Sequence, residues 1–146
     1  MNSLPVVEYL ASAEGEHPEI YKRLKEYKLD EGVVKELKAQ ASKAVIVVFS
    51  AVWCPDCRRN APILGAISEA TGLEVMVFGN LMRDAKSSTE IWRIPPSPQE
   101  VKEFNVKKIP LIIVLNKKGQ KLGEIVEDPP PGKTLEQAVN DLLKRA

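Results

Sequence analysis

The chain has little of what marks several classes of protein. It holds only two cysteines among its 146 residues, which excludes a disulfide-stabilised framework. No apolar run reaches the ~20 residues that a membrane-spanning helix needs. The formal net charge of +1, with both signs interleaved, does not indicate nucleic-acid or membrane partners. The N-terminus lacks the basic and apolar stretches of a signal peptide, so we expect a cytoplasmic location.

The first 42 residues have the pattern of a helical segment. Ser3 is placed to cap a short turn, and Asp30 is placed to cap a later helix. Apolar residues recur at helical spacing in two stretches, first Ile20, Leu24 and Tyr27, then Val33, Leu37 and Ala41. We predict that residues 1–42 form an N-terminal helical extension packed on a domain formed by residues 43–146.

From Ala44 onward the pattern alternates between strands and helices. Apolar runs at 44–49 and 73–78 flank a helical pattern that ends at Gly72, which predicts a parallel β-α-β unit. After a further short helix, runs at 111–115 and 120–126 meet at a turn signal ending in Gly119 and predict a hairpin. A capping box from Thr134 to Gln137 opens a final helix. Residues 80–97 form a long connection, either a functional loop or a tolerated surface insertion.

Both cysteines lie in Cys54-Pro55-Asp56-Cys57, where the first apolar run gives way to a helical pattern. A helix N-terminus offers unpaired N–H groups and a positive dipole end, which stabilise a thiolate. A structural zinc site needs four nitrogen or sulfur ligands, and the only histidine, His17, lies far away in the sequence. We therefore expect no metal within one chain and interpret the pair as a redox dithiol.

These features together resemble the thioredoxin superfamily over residues ~43–145. The matching positions are the Trp53-Cys54-x-x-Cys57 motif, Pro62 for the proline that kinks the family's active-site helix, Ile109-Pro110 for its cis-proline, and Gly119 for the glycine of its hairpin turn. The resemblance implies the family's α/β fold, a three-layer α/β/α sandwich with a mixed central sheet, here with extra helices at the N-terminus.

The resemblance also implies a thiol–disulfide oxidoreductase that needs no cofactor. Cys54 would attack a substrate disulfide and Cys57 would resolve the mixed disulfide. The implied substrate-binding residues are Trp53, Pro55, Ile109 and Pro110, with the backbone of Ile109 pairing with a bound chain as an added strand. The implied partners are protein disulfides, with a thioredoxin reductase or glutathione as electron donor.

Two departures from the family bear on the thiols. Asp56 places a negative charge between the cysteines, which opposes thiolate formation, whereas Arg58 and Arg59 favour it. Val48 stands where thioredoxins usually carry a buried aspartate, so proton transfer at Cys57 must use water or another group.

Two other functions remain open from the sequence. One is a thioredoxin-fold adaptor whose cysteines are incidental or hold a metal between two chains. The other is a glutaredoxin-like reductase of glutathione mixed disulfides, which Pro55 after the first cysteine suggests.

Overall fold

The computed structural model describes residues 3–13, 18–51, 54–79 and 106–145, together with Glu100 and Phe104. The predictions made for His17, for Trp53 and for the 80–97 connection lie outside these residues. The helices are α1 (Val6–Ala13), α2 (Pro18–Glu26), α3 (Glu31–Gln40), α4 (Pro55–Thr71) and α5 (Leu135–Leu143). The strands are β1 (Leu4–Pro5), β2 (Ala44–Phe49), β3 (Glu74–Phe78), β4 (Leu111–Asn116) and β5 (Lys121–Val126).

The described strands form one mixed sheet in the order β1-β3-β2-β4-β5. Strands β2 and β3 run parallel, and the other neighbouring pairs run antiparallel. The parallel β-α-β unit and the β4–β5 hairpin are thus confirmed, and Gly119 in the hairpin turn has the positive φ of 84° that favours glycine. The α/β class with a mixed central sheet is confirmed as well.

The sheet is buried on both faces, because β2 alternates between two cores. Ile46 and Val48 belong to the larger core, which the α-helices α1 to α5 all line. Val47 and Phe49 belong to a smaller core on the other face. Phe49 stacks there on Phe78 with ring centroids 4.9 Å apart. Both cysteines belong to this smaller core, so the β2–α4 connection brings them to one end of the sheet.

The N-terminal segment differs from its prediction at its start. Leu4 and Pro5, expected within a helical segment that Ser3 begins, instead pair with Val77 and Met76 as an antiparallel edge strand. A two-residue strand has no periodicity to read, and only its contact with β3 defines it. The edge position suits Pro5, which has no N–H to donate to a second neighbour.

Helix α4 is the element that carries the cysteines. Cys54 is its N-cap residue, with extended φ and ψ of −87° and 122°, and Pro55 is its first helical residue. Proline suits that position because its fixed φ is helical and its missing N–H would have no helical partner. The helix ends at Gly72, whose φ of 78° is left-handed. Gly65 in its middle lets α1 and α2 approach closely, since a Cβ there would lie 2.5 Å from Leu10 Cδ1.

Candidate active site

The two cysteines lie one helical turn apart at the start of α4. Cys54 is 7% exposed and Cys57 is 1% exposed, so the first thiol is the more accessible of the two. Both are free thiols. The N-terminal end of α4 places its unpaired N–H groups and its positive dipole end beside them.

The loop before β4 lies against the first cysteine. The Cys54 thiol donates to the Ile109 carbonyl oxygen at 3.9 Å, and the Ile109–Pro110 peptide bond is cis. Ile109 and Pro110 are buried, whereas Pro55 is exposed beside Cys54. Of the residues predicted for the site, the structure therefore brings Cys54, Cys57 and the Ile109–Pro110 loop together, while Trp53 lies outside the described residues.

The charge of Asp56 is offset by a neighbour on the same helix. Arg59 Nη2 lies 2.6 Å from Asp56 Oδ1 and 2.8 Å from Asp128 Oδ1, so one guanidinium joins both carboxylates. Both Arg59 and Asp128 are about half exposed, with side-chain exposures of 46% and 47%, so the pair is largely screened by solvent. Of the two arginines expected to act against Asp56 at the thiols, Arg59 forms an ion pair with Asp56 itself.

Asn60 fastens the first turn of α4 to the loop after β5. Its side-chain amide lies 3.0 Å from each of three acceptors, the Asp56 carbonyl, the Glu127 carbonyl and Asp128 Oδ1. Glu127 in turn donates its N–H to the Pro110 carbonyl at 2.8 Å, and it holds a left-handed φ of 67°. The cysteine helix and the Ile109–Pro110 loop are therefore linked through one buried amide. Hydrogen bonds from Asn60 and Arg59 hold the pKa of Asp128 below its usual value.

The second cysteine has polar neighbours on the side away from solvent. Burial raises the pKa of the Cys57 thiol above its ordinary value, against hydrogen bonds from the Ser50 hydroxyl and the Ala51 N–H that lower it. Ser50 is itself fully buried, and its hydroxyl lies 3.4 Å from the hydroxyl of Tyr9 on α1. Val48, in the aspartate's place, is packed in the larger core. The group beside Cys57 is therefore a serine hydroxyl.

Sequence reasoning missed four residues of this site, which are Tyr9, Ser50, Asn60 and Asp128. Ser50 carried the one available signal, because it is a polar residue directly after an apolar strand and before the cysteine motif. The others are distant in sequence or belong to the polar part of a helix pattern, where a buried amide and an exposed one look alike.

The described residues form neither a metal-binding cluster nor a membrane-spanning helix. Within the described part of the chain, no group of three or more histidine, cysteine, aspartate or glutamate side chains is arranged to hold a metal ion. Over the same residues, no helix has both the length and the apolar character that crossing a bilayer requires.

The sequence and the fold match known proteins. A family model described as Thioredoxin matches residues 3–140. A thioredoxin from Alicyclobacillus acidocaldarius subsp. acidocaldarius is 30% identical over 105 residues, which cover 72% of this chain and 87% of that protein.

Two solved structures share the fold across nearly the whole chain. A protein of unknown function from Pseudomonas aeruginosa is 21% identical with a TM-score of 0.60, covering 96% of this chain and 87% of its own. An HIV epitope-scaffold is 22% identical with a TM-score of 0.61 and the same coverage, 96% and 87%. At this identity the likeness concerns the fold alone. The family match and the bacterial relative decide the family, and this chain belongs to the thioredoxin family.

Proposed function

We propose that this protein is a thiol–disulfide oxidoreductase that reduces protein disulfides through Cys54 and Cys57. Membership of the thioredoxin family supports a redox role for the nearby cysteine pair. The observation that carries the specific proposal is the asymmetry of the two thiols. Cys54 caps α4 and is the more exposed, whereas Cys57 lies one turn deeper. A more exposed thiol beside a less exposed one suits attack followed by resolution.

The proposed reaction has two exchange steps. The Cys54 thiolate attacks one sulfur of a substrate disulfide, which forms a mixed disulfide and releases the other substrate sulfur as a thiolate that takes up a proton. Cys57 then loses its proton and attacks Cys54, which forms the Cys54–Cys57 disulfide and releases the second substrate thiol. Two electrons pass from the dithiol to the substrate, and each released substrate sulfur ends as a thiol.

The substrate chain is proposed to bind along the Ile109–Pro110 loop. The Ile109 carbonyl is 3.9 Å from Cys54 Sγ, so an extended segment that pairs with this backbone would hold its disulfide next to the attacking sulfur. Pro55, which is exposed next to Cys54, and Trp53 are proposed to contact the substrate as well.

Mixed-disulfide trapping tests this proposal. Cys57→Ser removes the resolving thiol, so we expect the variant to accumulate covalent complexes with a disulfide-bonded protein such as insulin, detected by non-reducing electrophoresis and mass spectrometry. The matched control is Cys54→Ser, which keeps one thiol but should trap far less because Cys57 is only 1% exposed, against 7% for Cys54. An absence of trapped species in Cys57→Ser would favour a binding module whose cysteines are not catalytic.

The electron donor is proposed to be a thioredoxin reductase or glutathione, and the location the cytoplasm, where dithiols are kept reduced. Turnover assays run with each donor separately, in which the donor reduces the Cys54–Cys57 disulfide, distinguish them. Turnover with glutathione alone on glutathione mixed disulfides would indicate the glutaredoxin-like activity instead.

A further inference from the structure

A tyrosine from the N-terminal segment reaches the redox site. Tyr9 lies on α1, is 6% exposed, and places its hydroxyl 3.4 Å from Ser50 Oγ. Its ring packs directly on the backbone at the end of β3, where a Cβ on Gly79 would lie 2.6 Å from Tyr9 Cε1. Glycine at that position therefore leaves the space that the ring occupies, which fixes the hydroxyl beside Ser50.

The donor and acceptor roles of the two hydroxyls are limited by the single proton that each one carries. A serine hydroxyl has one proton to donate and accepts with its lone pairs. The 3.4 Å contact between the Tyr9 and Ser50 hydroxyls allows either one to donate. In the arrangement in which Ser50 gives its proton to the sulfur of Cys57, its oxygen accepts, and the tyrosine hydroxyl is the donor within reach. Burial raises the pKa of Tyr9 to about 12, so this hydroxyl keeps its proton near neutral pH. In that arrangement the donors form a chain from Tyr9 through Ser50 to Cys57.

Few charges act on Cys57 from the surrounding elements. Among the described residues, the titratable groups that interact with it are Cys54 and Tyr9. On α4, Asp56 is paired with Arg59, and Arg58 lines a surface groove with residues of α2. Beyond the Ile109–Pro110 loop, Lys108 pairs with Glu127 at 3.7 Å. On α1, Glu8 is exposed.

We infer that Tyr9 is a positioning residue for the resolving step, acting through Ser50 on Cys57. This inference rests on the proposed function. In the mixed disulfide, Cys57 must give up its proton before it attacks Cys54, and the proton ends on the released substrate thiolate. Tyr9 donates to Ser50, which orients the serine proton toward Cys57 and stabilises the thiolate as it forms. The hydroxyl pair thus stabilises the Cys57 thiolate where Val48 stands in the aspartate's place, and the proton itself passes to the substrate thiolate rather than to the pair.

The two exchange steps separate in a reaction with dithiobis(nitrobenzoate). The reduced protein releases a first thionitrobenzoate when Cys54 attacks and a second one when Cys57 resolves, and stopped-flow absorbance follows both. Tyr9→Phe removes only the hydroxyl. Because one hydrogen bond to an ionised group is weakened rather than lost, we expect the second phase to slow by about fivefold with the first phase unchanged. Tyr27→Phe is the matched control, since its hydroxyl donates to Glu136 instead, and it should change neither phase.

A double-mutant cycle distinguishes positioning from a general structural effect. Ser50→Ala should slow the second phase by about tenfold or more, and adding Tyr9→Phe to Ser50→Ala should slow it no further, because Tyr9 acts only through Ser50. In a Cys54→Ser background, Tyr9→Phe should also raise the pH midpoint of Cys57 alkylation. The inference is overturned if the second phase of Tyr9→Phe matches that of Tyr27→Phe, if both phases slow equally, or if the two substitutions add. Failure of the proposed function looks different, since Cys54 would then release no first thionitrobenzoate.

Discussion

Asn60→Ala removes the amide that joins the cysteine helix to two loops. The side chain is 2% exposed, and its two amide protons serve three acceptors at 3.0 Å, so one of the hydrogen bonds is shared. The Glu127 carbonyl and one carboxylate oxygen of Asp128 lose this donor in the variant. Arg59 still binds Asp128 at 2.8 Å, whereas no other side-chain donor to the Glu127 carbonyl is found among the described residues.

The cost can be worked from these contacts. A neutral hydrogen bond contributes about 1 kcal/mol net and one to a charged group about 2 kcal/mol, so Asn60→Ala should lower the free energy of unfolding by about 3 kcal/mol. Part of this lost free energy is recovered if the backbone of Glu127 relaxes from its left-handed φ of 67°. That conformation costs a non-glycine residue about 1–2 kcal/mol. The expected net loss is about 1–2 kcal/mol, from the difference of these two contributions.

Urea unfolding followed by circular dichroism measures the loss. The matched control is Asn140→Ala, which removes an equally buried amide, 3% exposed, that donates to Glu36 at 2.8 Å between α5 and α3. Both variants should lose stability, but only Asn60→Ala should also slow the reaction of Cys54 with a disulfide, because Glu127 holds the Pro110 carbonyl at 2.8 Å. A loss well under 1 kcal/mol, about the least expected for one buried hydrogen bond, would refute the reasoning, as would a redox defect in Asn140→Ala.

Two further changes test other parts of the structure. Gly65→Val should lower the free energy of unfolding by about 3 kcal/mol through overpacking, because a Cβ there meets Leu10 Cδ1 at 2.5 Å and Leu24 Cδ1 at 3.0 Å; an unchanged thermal midpoint would contradict this packing. Asp128 has a pKa below its usual value because Asn60 and Arg59 bind its carboxylate. Its contribution is thus present above about pH 4, where the unfolded carboxyl ionises, and lost as the pH falls through the lower folded pKa. Urea midpoints should consequently fall more steeply below about pH 4 in the wild type than in Asp128→Asn, and parallel curves would contradict the assignment.

The sequence predicted those parts of the fold that local signals determine. The capping box of Thr134 and Gln137 is present as expected, and so are the Asp30 cap and the left-handed Gly72. Each depends on residues within a few positions of one another. Strand β1 was missed because it depends on Val77 and Met76, which lie far along the chain. Its residues carry no periodicity that distinguishes two paired positions from the start of a helix.

The candidate site also contains residues that a local motif predicts and residues that only long-range contacts bring in. The cysteines were predicted from the Cys-x-x-Cys motif, and the Ile109–Pro110 loop from the resemblance to the thioredoxin superfamily. Tyr9 could not be predicted, because its hydrogen bond to Ser50 spans 41 positions. The effect of Asp56 was equally unreadable, since Arg59 also binds Asp128, 69 positions away. Electrostatic sums at a site depend on such distant partners, which composition and spacing do not specify.

The predicted division between residues 1–42 and 43–146 separates elements that share one core. Leu10 and Leu24 are 0% and 4% exposed, and they pack on Gly65 of α4. Burying one leucine contributes about 1.5–3 kcal/mol, so losing both would remove much of the stability that a small domain has. Tyr9 lies next to Leu10 on the same helix, and its ring rests on Gly79. The contacts that hold α1 on α4 therefore also place the hydroxyl beside Ser50, which means that stability and the resolving step should respond together to changes in this segment.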